Sequence, residues 1–311
     1  MQRHRAVIRA LAAAAAFAIA TPAAAQIRDP RFISLTGLFD AVAQSSEGMP
    51  DAERVARFDA VMGRALPDFY RQPADQADAF ARQILGNLRA YPERRAAILA
   101  ASARMEQAYR SAGRRFRTFF PGYRADTPVY VLHSLGRMDG GTRTIGGRTA
   151  LIFGADVIAR IHDEKSIGPF LDHELFHTYH DDYFAECDTV WCGLWTEGLA
   201  TYVALRLNPG ADDRALLLTS PAPIRAPLDA RFAEAACFAL SKMDSEKPQD
   251  IAGFFQSNSP FPGWPARMGY YLGMRVAEQV GKGMPLDKLA KMPAAQVRPR
   301  IEAALRGFGK C

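Results

Sequence analysis

The sequence predicts an α+β fold, with a small mixed sheet between a mainly helical N-terminal part and a helical C-terminal part. Apolar residues recur at helical spacing over residues 31–118 and again beyond Lys165, whereas the stretch between them carries two short strand patterns. Hydrophobic residues form 49% of the 311-residue chain and charged residues 23%, which excludes wholesale disorder and fibrous structure. The length is sufficient for a sizeable core.

The first 25 residues have the features of a cleavable signal peptide. Three arginines form a basic start, an apolar run follows from Ala10 to Ala20, and Ala23–Ala25 offers small residues to a signal peptidase. Cleavage is therefore expected before Gln26, and the mature protein is expected in the periplasm or outside the cell. The alternative interpretation is a buried N-terminal helix.

Charge and hydropathy argue against two classes of partner. The chain holds 39 basic and 33 acidic residues, and loss of the three signal-peptide arginines leaves 36 basic residues against 33, a net charge of +3. No cluster of Lys and Arg is interleaved with aromatic residues, so nucleic acid is not an expected partner. No apolar run reaches the roughly 18 residues that a helix needs to span a bilayer, so no membrane span is expected.

Four cysteines, an even number, suit an exported protein that meets an oxidising compartment. They are Cys187, Cys192, Cys237 and Cys311. Four cysteines allow three pairings. A local Cys187–Cys192 bridge is the first expectation, because the two residues are close in sequence, and Cys237–Cys311 is the second. The alternative is that some of the four stay reduced and buried.

The N-terminal elements follow from spacing and from helix breakers. Helical repeats are formed by Val55, Phe58, Val61 and Met62, and by Ile98, Ala101, Met105 and Tyr109. Pro67 and Pro92 are expected to interrupt these helices, and Pro121-Gly122 to end them.

The middle of the chain predicts two strands, at residues 128–133 and 149–153. Between them, Gly140, Gly141, Gly146 and Gly147 are interpreted as a glycine-rich turn, because their spacing does not match a phosphate-binding loop. Beyond Lys165 the pattern is helical, with interruptions near 183–192, 209–228 and 244–265.

The segment His173-Glu174-Leu175-Phe176-His177 has the pattern H-E-x-x-H within a helical repeat. Positions i and i+4 share one helix face, so His173 and His177 can direct two imidazole nitrogens at one zinc ion. Glu174 projects about 100° around the helix from His173. It can therefore act on a water molecule at the metal without occupying a ligand position.

A third ligand is expected from a second helical stretch that starts near Trp195. Glu197 lies twenty positions after His177, and a loop of that length allows the second helix to pack beside the first. Glu197 would complete a His₂Glu set, with the fourth position open as a catalytic zinc site requires.

These residues resemble a known family. H-E-x-x-H followed by the run Trp-Thr-Glu-Gly-Leu-Ala-Thr-Tyr at 195–202 is similar to the gluzincin zinc metallopeptidases, within them to the aminopeptidase-like branch and to predicted zinc-dependent proteases of bacteria. The resemblance implies that His173, His177 and Glu197 bind one zinc ion and that Glu174 is the general base. It also implies peptide or protein substrates.

The fold that the resemblance implies is zincin-like, with a small sheet over the H-E-x-x-H helix and an edge strand that binds the substrate backbone. Thr149–Phe153 stands where that edge strand is expected. The domain boundaries are then 1–25 for the signal peptide, 26–125 for the helical N-terminal region and 126–311 for the zincin-like region, with the last two forming one compact unit.

Departures from the family narrow the expected activity. Thermolysin-like members carry an aspartate four residues after the third ligand, where this chain has Thr201. Family aminopeptidases bind the substrate's free amine with a glutamate of a G-x-M-E-N element, and residues 147–154 contain no acid. An endopeptidase is therefore favoured over an aminopeptidase. Metzincins are excluded, because His180 and Tyr183 stand where they need glycine and histidine.

A donor for the oxyanion of the transition state is also expected. Many related sites use a C-terminal histidine or tyrosine, and no histidine follows His180 in this chain. Tyr270 is the first candidate and Tyr271 the second, since adjacent helical residues point about 100° apart. The alternative is that both are core or surface aromatics.

Other polar residues near the motif are assigned supporting roles. His180 is expected either to contact a metal ligand without binding the metal or to lie at the surface. The same contact role, or exposure to solvent, is expected for Asp172, Asp181 and Asp182. Tyr202 is expected to pack. Two alternative functions remain, namely a zinc hydrolase of a non-peptide amide or ester, and a non-catalytic envelope binding protein on a zincin scaffold.

Overall fold

The computed structural model describes residues 31–185, 187–258 and 260–311. Over these ranges, thirteen α-helices surround one four-stranded mixed sheet, and Arg31–Cys311 forms one compact unit. The α+β class expected from the sequence is confirmed. The predicted signal peptide at 1–25 lies outside the described residues.

The sheet contains both predicted strands and two further ones. Its strands are β1 (Phe32–Ser34), β2 (Val129–Leu132), β3 (Gly140–Ile145) and β4 (Arg148–Gly154), in the spatial order β1-β2-β4-β3. The first, second and fourth strands are parallel, and β3 pairs antiparallel with β4 at an edge of the sheet. Gly146 and Gly147 form the two-residue hairpin loop with φ of 57° and 74°, conformations that favour glycine.

The N-terminal helices pack against a single long one. They are α1 (Thr36–Ser45), α2 (Asp51–Phe58), α3 (Pro67–Tyr70) and the 43-residue α4 (Ala77–Phe119). A π-helical turn at Asp59–Gly63 extends α2. The long helix buries one stripe that includes Ile84, Leu88, Tyr91, Ile98, Ala101, Met105, Tyr109, Ala112 and Phe116. The three- and four-residue spacing of this stripe is that of a helix with one face against a core.

Nine helices follow the sheet. They are α5 (Ala155–Ile161), α6 (Ile167–His180), α7 (Val190–Leu207), α8 (Arg225–Asp229), α9 (Phe232–Lys242), α10 (Pro248–Phe255), α11 (Met268–Val280), α12 (Leu286–Ala290) and α13 (Ala294–Phe308). The central one is α7, which packs against both α6 and α11. It is buried on nearly all sides, as its almost continuously apolar sequence requires.

Both expected disulfides are present. Cys187–Cys192 closes the connection between α6 and α7, and Cys237–Cys311 ties the end of the chain to α9. Disulfides form and persist in oxidising compartments, so the pair indicates a protein of the periplasm or the extracellular space. Within the described ranges, no helix combines the length and the apolar character that crossing a bilayer demands.

Two N-terminal predictions are wrong. Phe32–Ser34 is not helical, because it pairs with β2 and so extends the sheet. Pro92 does not end a helix but lies inside α4. A proline removes one helical hydrogen bond. The helix nevertheless continues, because buried Leu88 and Tyr91 before it and Ile98 after it pack into the same core.

Three later predictions also need correction. Gly140 and Gly141 belong to β3 and not to a turn, since a side chain at Gly140 would collide with the rings of Phe170 and Phe153. Thr149–Phe153, predicted to be the edge strand beside the H-E-x-x-H helix, instead lies inside the sheet as a section of β4. The edge strand next to it is β3. The predicted interruption at 244–265 contains α10, which starts at a proline suited to a first helical turn.

Candidate metal centre

The two histidines of the H-E-x-x-H motif point to one place. Both lie on α6, and the Nε2 atoms of His173 and His177 are 3.1 Å apart. The separation follows from the helix itself, because residues i and i+4 are stacked on one face. Leu171, Leu175 and Phe176 are buried around the motif and hold this section of α6 in the core.

Glu197 reaches the same place from α7. Its Oε2 atom is 3.2 Å from Nε2 of His173 and 3.6 Å from Nε2 of His177. The approach depends on the packing of α7 against α6, across the connection that Cys187–Cys192 closes. The third predicted ligand is therefore brought to the histidine pair.

The spacing of the three donor atoms suits a small tetrahedral cation. His173, His177 and Glu197 offer ligand atoms within 4.8 Å of one another. Ligands about 2.0–2.1 Å from a tetrahedral zinc ion are separated from each other by about 3.3 Å. The observed edges of 3.1, 3.2 and 3.6 Å bracket that value. Two imidazoles and one carboxylate also form a donor set of the catalytic zinc type.

The charges of the three groups are strongly linked. Burial lowers the pKa of His177, but the adjacent Glu197 carboxylate outweighs this effect and raises the pKa to about 9. Burial alone would raise the pKa of Glu197, yet the two histidines hold it well below its ordinary value. Burial lowers the pKa of His173. Glu197 is thus an anion facing two nitrogens, as a cation site requires.

Glu174 stands beside this triangle as a carboxyl group with altered acidity. Burial raises the pKa of Glu174 to about 7. The charge of His177 acts against this shift, and the charges of Glu197 and Asp139 add to it. A carboxyl group with a pKa near neutrality can both accept and return a proton.

A cavity of about 270 Å³ opens onto the centre. One wall is the start of the edge strand β3, and another is the loop after α7, which contributes Ala215, Leu216 and Leu217. All four residues of the motif and third-ligand set line it. The cavity gives a substrate access to the side of the triangle that the protein leaves open.

Tyr270 faces this cavity and Tyr271 does not. The Tyr270 ring lies 6.2 Å from the His173 ring, centroid to centroid, and lines the cavity wall. Burial raises the pKa of Tyr270, so its phenol keeps its proton. The hydroxyl of Tyr271 donates to Asp229 at 2.6 Å on the other side of α11. Of the two predicted candidates, Tyr270 is therefore the one near the histidine pair.

No family model, curated protein or solved structure matches this chain. A function for the chain therefore has to be argued from the geometry and chemistry of its own site.

Sequence reasoning missed Arg267, which precedes α11 and lines the cavity. Its guanidinium lies 4.4 Å from the centroid of the Tyr270 ring, and its Nη1 atom donates to the carbonyl oxygens of Leu217 and Ser220. Arg267 and Leu217 both have left-handed backbones, with φ of 60° and 57°. Such conformations cost energy in non-glycine residues and cluster at functional sites, and the sequence carries no signal for them.

Asp139 is a second residue that the sequence did not reveal. It precedes β3, lines the cavity and receives hydrogen bonds from the Gly140 N–H at 3.0 Å and from His162, whose Nε2 is 3.5 Å away. Burial raises the pKa of Asp139, but these contacts outweigh it and the net shift is downward. Asp139 therefore remains ionised beside Glu174.

His180 and Asp172 are both buried, so of the two positions expected for each, in contact with a metal ligand or in solvent, the solvated one does not apply. His180 is 1% exposed and stacked between Phe176 and Phe184. Asp172 is fully buried and accepts hydrogen bonds from Arg115 and Asn208. The aromatic and charged partners come from distant segments of the chain, which a local pattern cannot reveal.

The remaining polar residues are closer to expectation. Tyr202 packs as predicted, with a 6% exposed side chain and a hydrogen bond from Arg206. Asp182 is exposed, whereas Asp181 also lines the cavity.

Proposed function

We propose that the protein is an exported zinc-dependent peptidase that hydrolyses internal peptide bonds, with His173, His177 and Glu197 as ligands of one zinc ion. The observation that carries the proposal is the triangle of donor atoms with edges of 3.1–3.6 Å, open to a cavity and flanked by Glu174. When bound, zinc supplies Lewis-acid chemistry, because it acidifies a water molecule and polarises a carbonyl group.

Glu174 is assigned the proton transfers. Its carboxylate accepts a proton from the attacking water and then donates that proton to the nitrogen of the departing amine. A pKa raised by burial to about 7 suits both steps, since the group is divided between its two forms near neutral pH. Its carboxylate is available for these transfers, because Glu174 is not one of the three residues that form the triangle.

Tyr270 is assigned the second donor to the carbonyl oxygen. As the peptide carbonyl is attacked, its oxygen gains negative charge that a fixed O–H can stabilise. The phenol remains protonated near neutral pH because burial raises its pKa. Arg267 holds the ring from above and anchors the neighbouring loop, so the donor is preorganised.

An endopeptidase is favoured because β3 offers backbone but no acid. The strand Gly140–Ile145 contains no carboxylate that could bind the free amine of a substrate N-terminus. Asp139, just before it, is already engaged by the Gly140 N–H and by His162. The strand β3 is therefore expected to bind the peptide backbone without offering an acidic partner to the first residue.

The decisive experiment compares wild type with Glu174→Gln. Both proteins are assayed for zinc by elemental analysis and for cleavage of a library of internally quenched peptides with blocked ends. The variant is expected to keep one zinc ion and lose hydrolysis, and unchanged cleavage would refute the mechanism. Parallel panels of aminoacyl, amide and ester substrates test the specificity. Activity confined to the non-peptide panels would assign a zinc amidase or esterase, and no metal in wild type would favour a non-catalytic scaffold.

A further inference from the structure

A second, smaller cavity lies between the end of β2, α4 and α5. Its volume is about 50 Å³, and none of its lining residues lines the first cavity. It is lined by Asn87, Ala90, Tyr91, Arg94, Ile98, His133, Gly136, Asp156 and Arg160. This space accommodates a few water molecules or one small ion.

The buried imidazole of His133 presents a donor to this space. The ring is stacked on Phe39, with centroids 3.9 Å apart, and the residue is 2% exposed. Its Nδ1 atom accepts the Leu135 N–H at 3.2 Å, so a neutral ring carries its proton on Nε2. Burial lowers the pKa of His133 to about 4, which keeps the ring neutral. Among the described residues, that Nε2–H makes no hydrogen bond, whereas Nδ1 makes the one to Leu135.

The carboxylate of Asp156 does not satisfy the donors of the cavity. It accepts the N–H groups of Ser134 and Gly136, both at 2.6 Å, and the Ser134 hydroxyl at 3.2 Å. The turn that follows β2 therefore wraps its backbone around Asp156 and occupies most of its lone pairs. The carboxylate serves to hold this turn, and it leaves the Nε2–H of His133 facing the cavity.

Two arginines line the cavity without an ion-pair partner among the described residues. Arg94 on α4 and Arg160 on α5 are exposed and make no ion pair or hydrogen bond within the described ranges of the chain. Two neighbouring arginines of α4 differ in this respect, since Arg95 is paired with Asp40 and Arg89 with Asp51. One imidazole N–H and two guanidinium forks are thus the donors available around the cavity, and the carboxylate of Asp156, which the turn after β2 engages, also lines it.

We propose that this cavity binds a small tetrahedral oxyanion of the phosphate type, held by the Nε2–H of His133 and by the guanidinium groups of Arg94 and Arg160. Guanidinium groups bind such anions through paired, charge-assisted hydrogen bonds. The anion would bridge α4 and α5 to the turn after β2, and it would accept a hydrogen bond from the Nε2–H that His133 presents to the cavity. The site is independent of the proposed peptidase centre, because it shares no residue with it.

The test uses the full mature chain, freed of metal so that phosphate has no zinc to bind. Inorganic phosphate is titrated by isothermal calorimetry into wild type, Arg94→Gln, Arg160→Gln and the control Arg114→Gln. Arg114 is an exposed arginine of the same helix, α4, away from the cavity. We expect one saturable site in wild type, a loss of affinity of about tenfold to a hundredfold in each cavity variant, and no loss in the control.

Two further measurements make the outcome specific. Parallel titrations with sulfate and acetate show whether the cavity prefers tetrahedral anions or binds a planar carboxylate equally well. The Nε2–H signal of His133 in proton–nitrogen NMR spectra should shift with phosphate in wild type and not in Arg160→Gln. Absence of saturable binding at millimolar phosphate would show that the cavity holds water alone. Equal weakening in Arg114→Gln would reduce the effect to net charge, and either result would overturn the proposal.

Discussion

Gly198 of α7 and Gly273 of α11 pack backbone against backbone, with no side chain between the two helices. A Cβ atom placed on Gly273 would lie 2.9 Å from the Cα of Gly198 and closer still to the Leu194 carbonyl oxygen. Gly198 directly follows the ligand Glu197, and Gly273 is three residues after Tyr270. The contact between the two glycines therefore brings the helix of Glu197 and the helix of Tyr270 close together.

The substitution Gly273→Ala tests this contact. The added methyl meets backbone atoms that cannot rotate away, so we expect a loss of about 1–3 kcal/mol in the free energy of unfolding, as for other overpacked cores. Urea-induced unfolding measures it. Gly86→Ala is the matched control, because Gly86 is an exposed residue of α4 and a Cβ atom added there would have nothing within 4 Å. There the substitution should stabilise by about 0.5–1 kcal/mol. Equal stability of Gly273→Ala and wild type would show that the helices can separate at little cost.

The candidate site residues that lie together as expected are mostly those whose proximity local geometry fixes. The proximity of His173, Glu174 and His177 depends only on the helical repeat of α6. The angle between adjacent helical residues predicts that only one of Tyr270 and Tyr271 faces the site, and it does not say which. Glu197 needed one further assumption, that the helix after the loop packs beside α6, and the packing of α7 meets it.

The residues that the sequence did not reveal depend on contacts between distant segments. Gly140 belongs to a strand because it pairs with Phe153 of β4, and the Phe170 ring from α6 leaves no room for a side chain there. Arg267 is held by carbonyl groups some fifty positions earlier in the chain, at Leu217 and Ser220. Asp139 comes to line the cavity only when β3 pairs with β4. None of these relations has a period or a motif that a single sequence could display.

The two adjacent tyrosines of α11 provide an internal comparison for catalysis. Tyr270→Phe removes only the phenolic oxygen from the cavity, so we expect hydrolysis to fall by about 10²–10³-fold with zinc content unchanged. Tyr271→Phe removes a hydrogen bond to Asp229 outside the cavity. It should lower the free energy of unfolding by about 1–3 kcal/mol and leave turnover close to wild type. Steady-state kinetics on the best peptide from the library measure both. The assignment of the oxyanion donor would be wrong if Tyr271→Phe were the slower enzyme.

Metal binding should stabilise the fold through the three proposed ligands. A ligand that binds only the native state, at about one hundred times its dissociation constant, adds about 2.7 kcal/mol to the free energy of unfolding. Zinc added to the chelator-treated protein should accordingly raise the melting temperature, whereas Glu197→Ala should lose most of this increase.

The control for the zinc effect is Glu234→Ala. Glu234 pairs with Arg231 on the surface of α9 and contributes nothing to the triangle of donors. It should retain the full increase in melting temperature. The same increase in Glu197→Ala as in wild type would mean that zinc binds elsewhere on the protein.

His180 should make the protein sensitive to acid independently of its metal. Burial, together with the nearby charge of His177, lowers the pKa of His180 from 6.5 to about 3. Below the unfolded pKa the unfolded chain binds a proton that the native state excludes. The free energy of unfolding therefore falls as the pH drops through this window, by up to about 1.4 kcal/mol per pH unit for this one group. Above the window the imidazole is neutral in both states and contributes no pH dependence.

Replacing this histidine with leucine should remove one proton from the acid sensitivity. His180→Leu keeps an apolar group between Phe176 and Phe184 and eliminates the Nε2 atom, which is buried without a hydrogen-bond partner in the described structure. Urea unfolding of both metal-free proteins from about pH 8 to about pH 5 should give a constant difference at the alkaline end. Toward acid, the variant should lose stability less steeply than wild type. Curves that remained parallel over the whole range would show that His180 accepts its proton in the native state, and that its ring is not enclosed by the two phenylalanines as tightly as the structure implies.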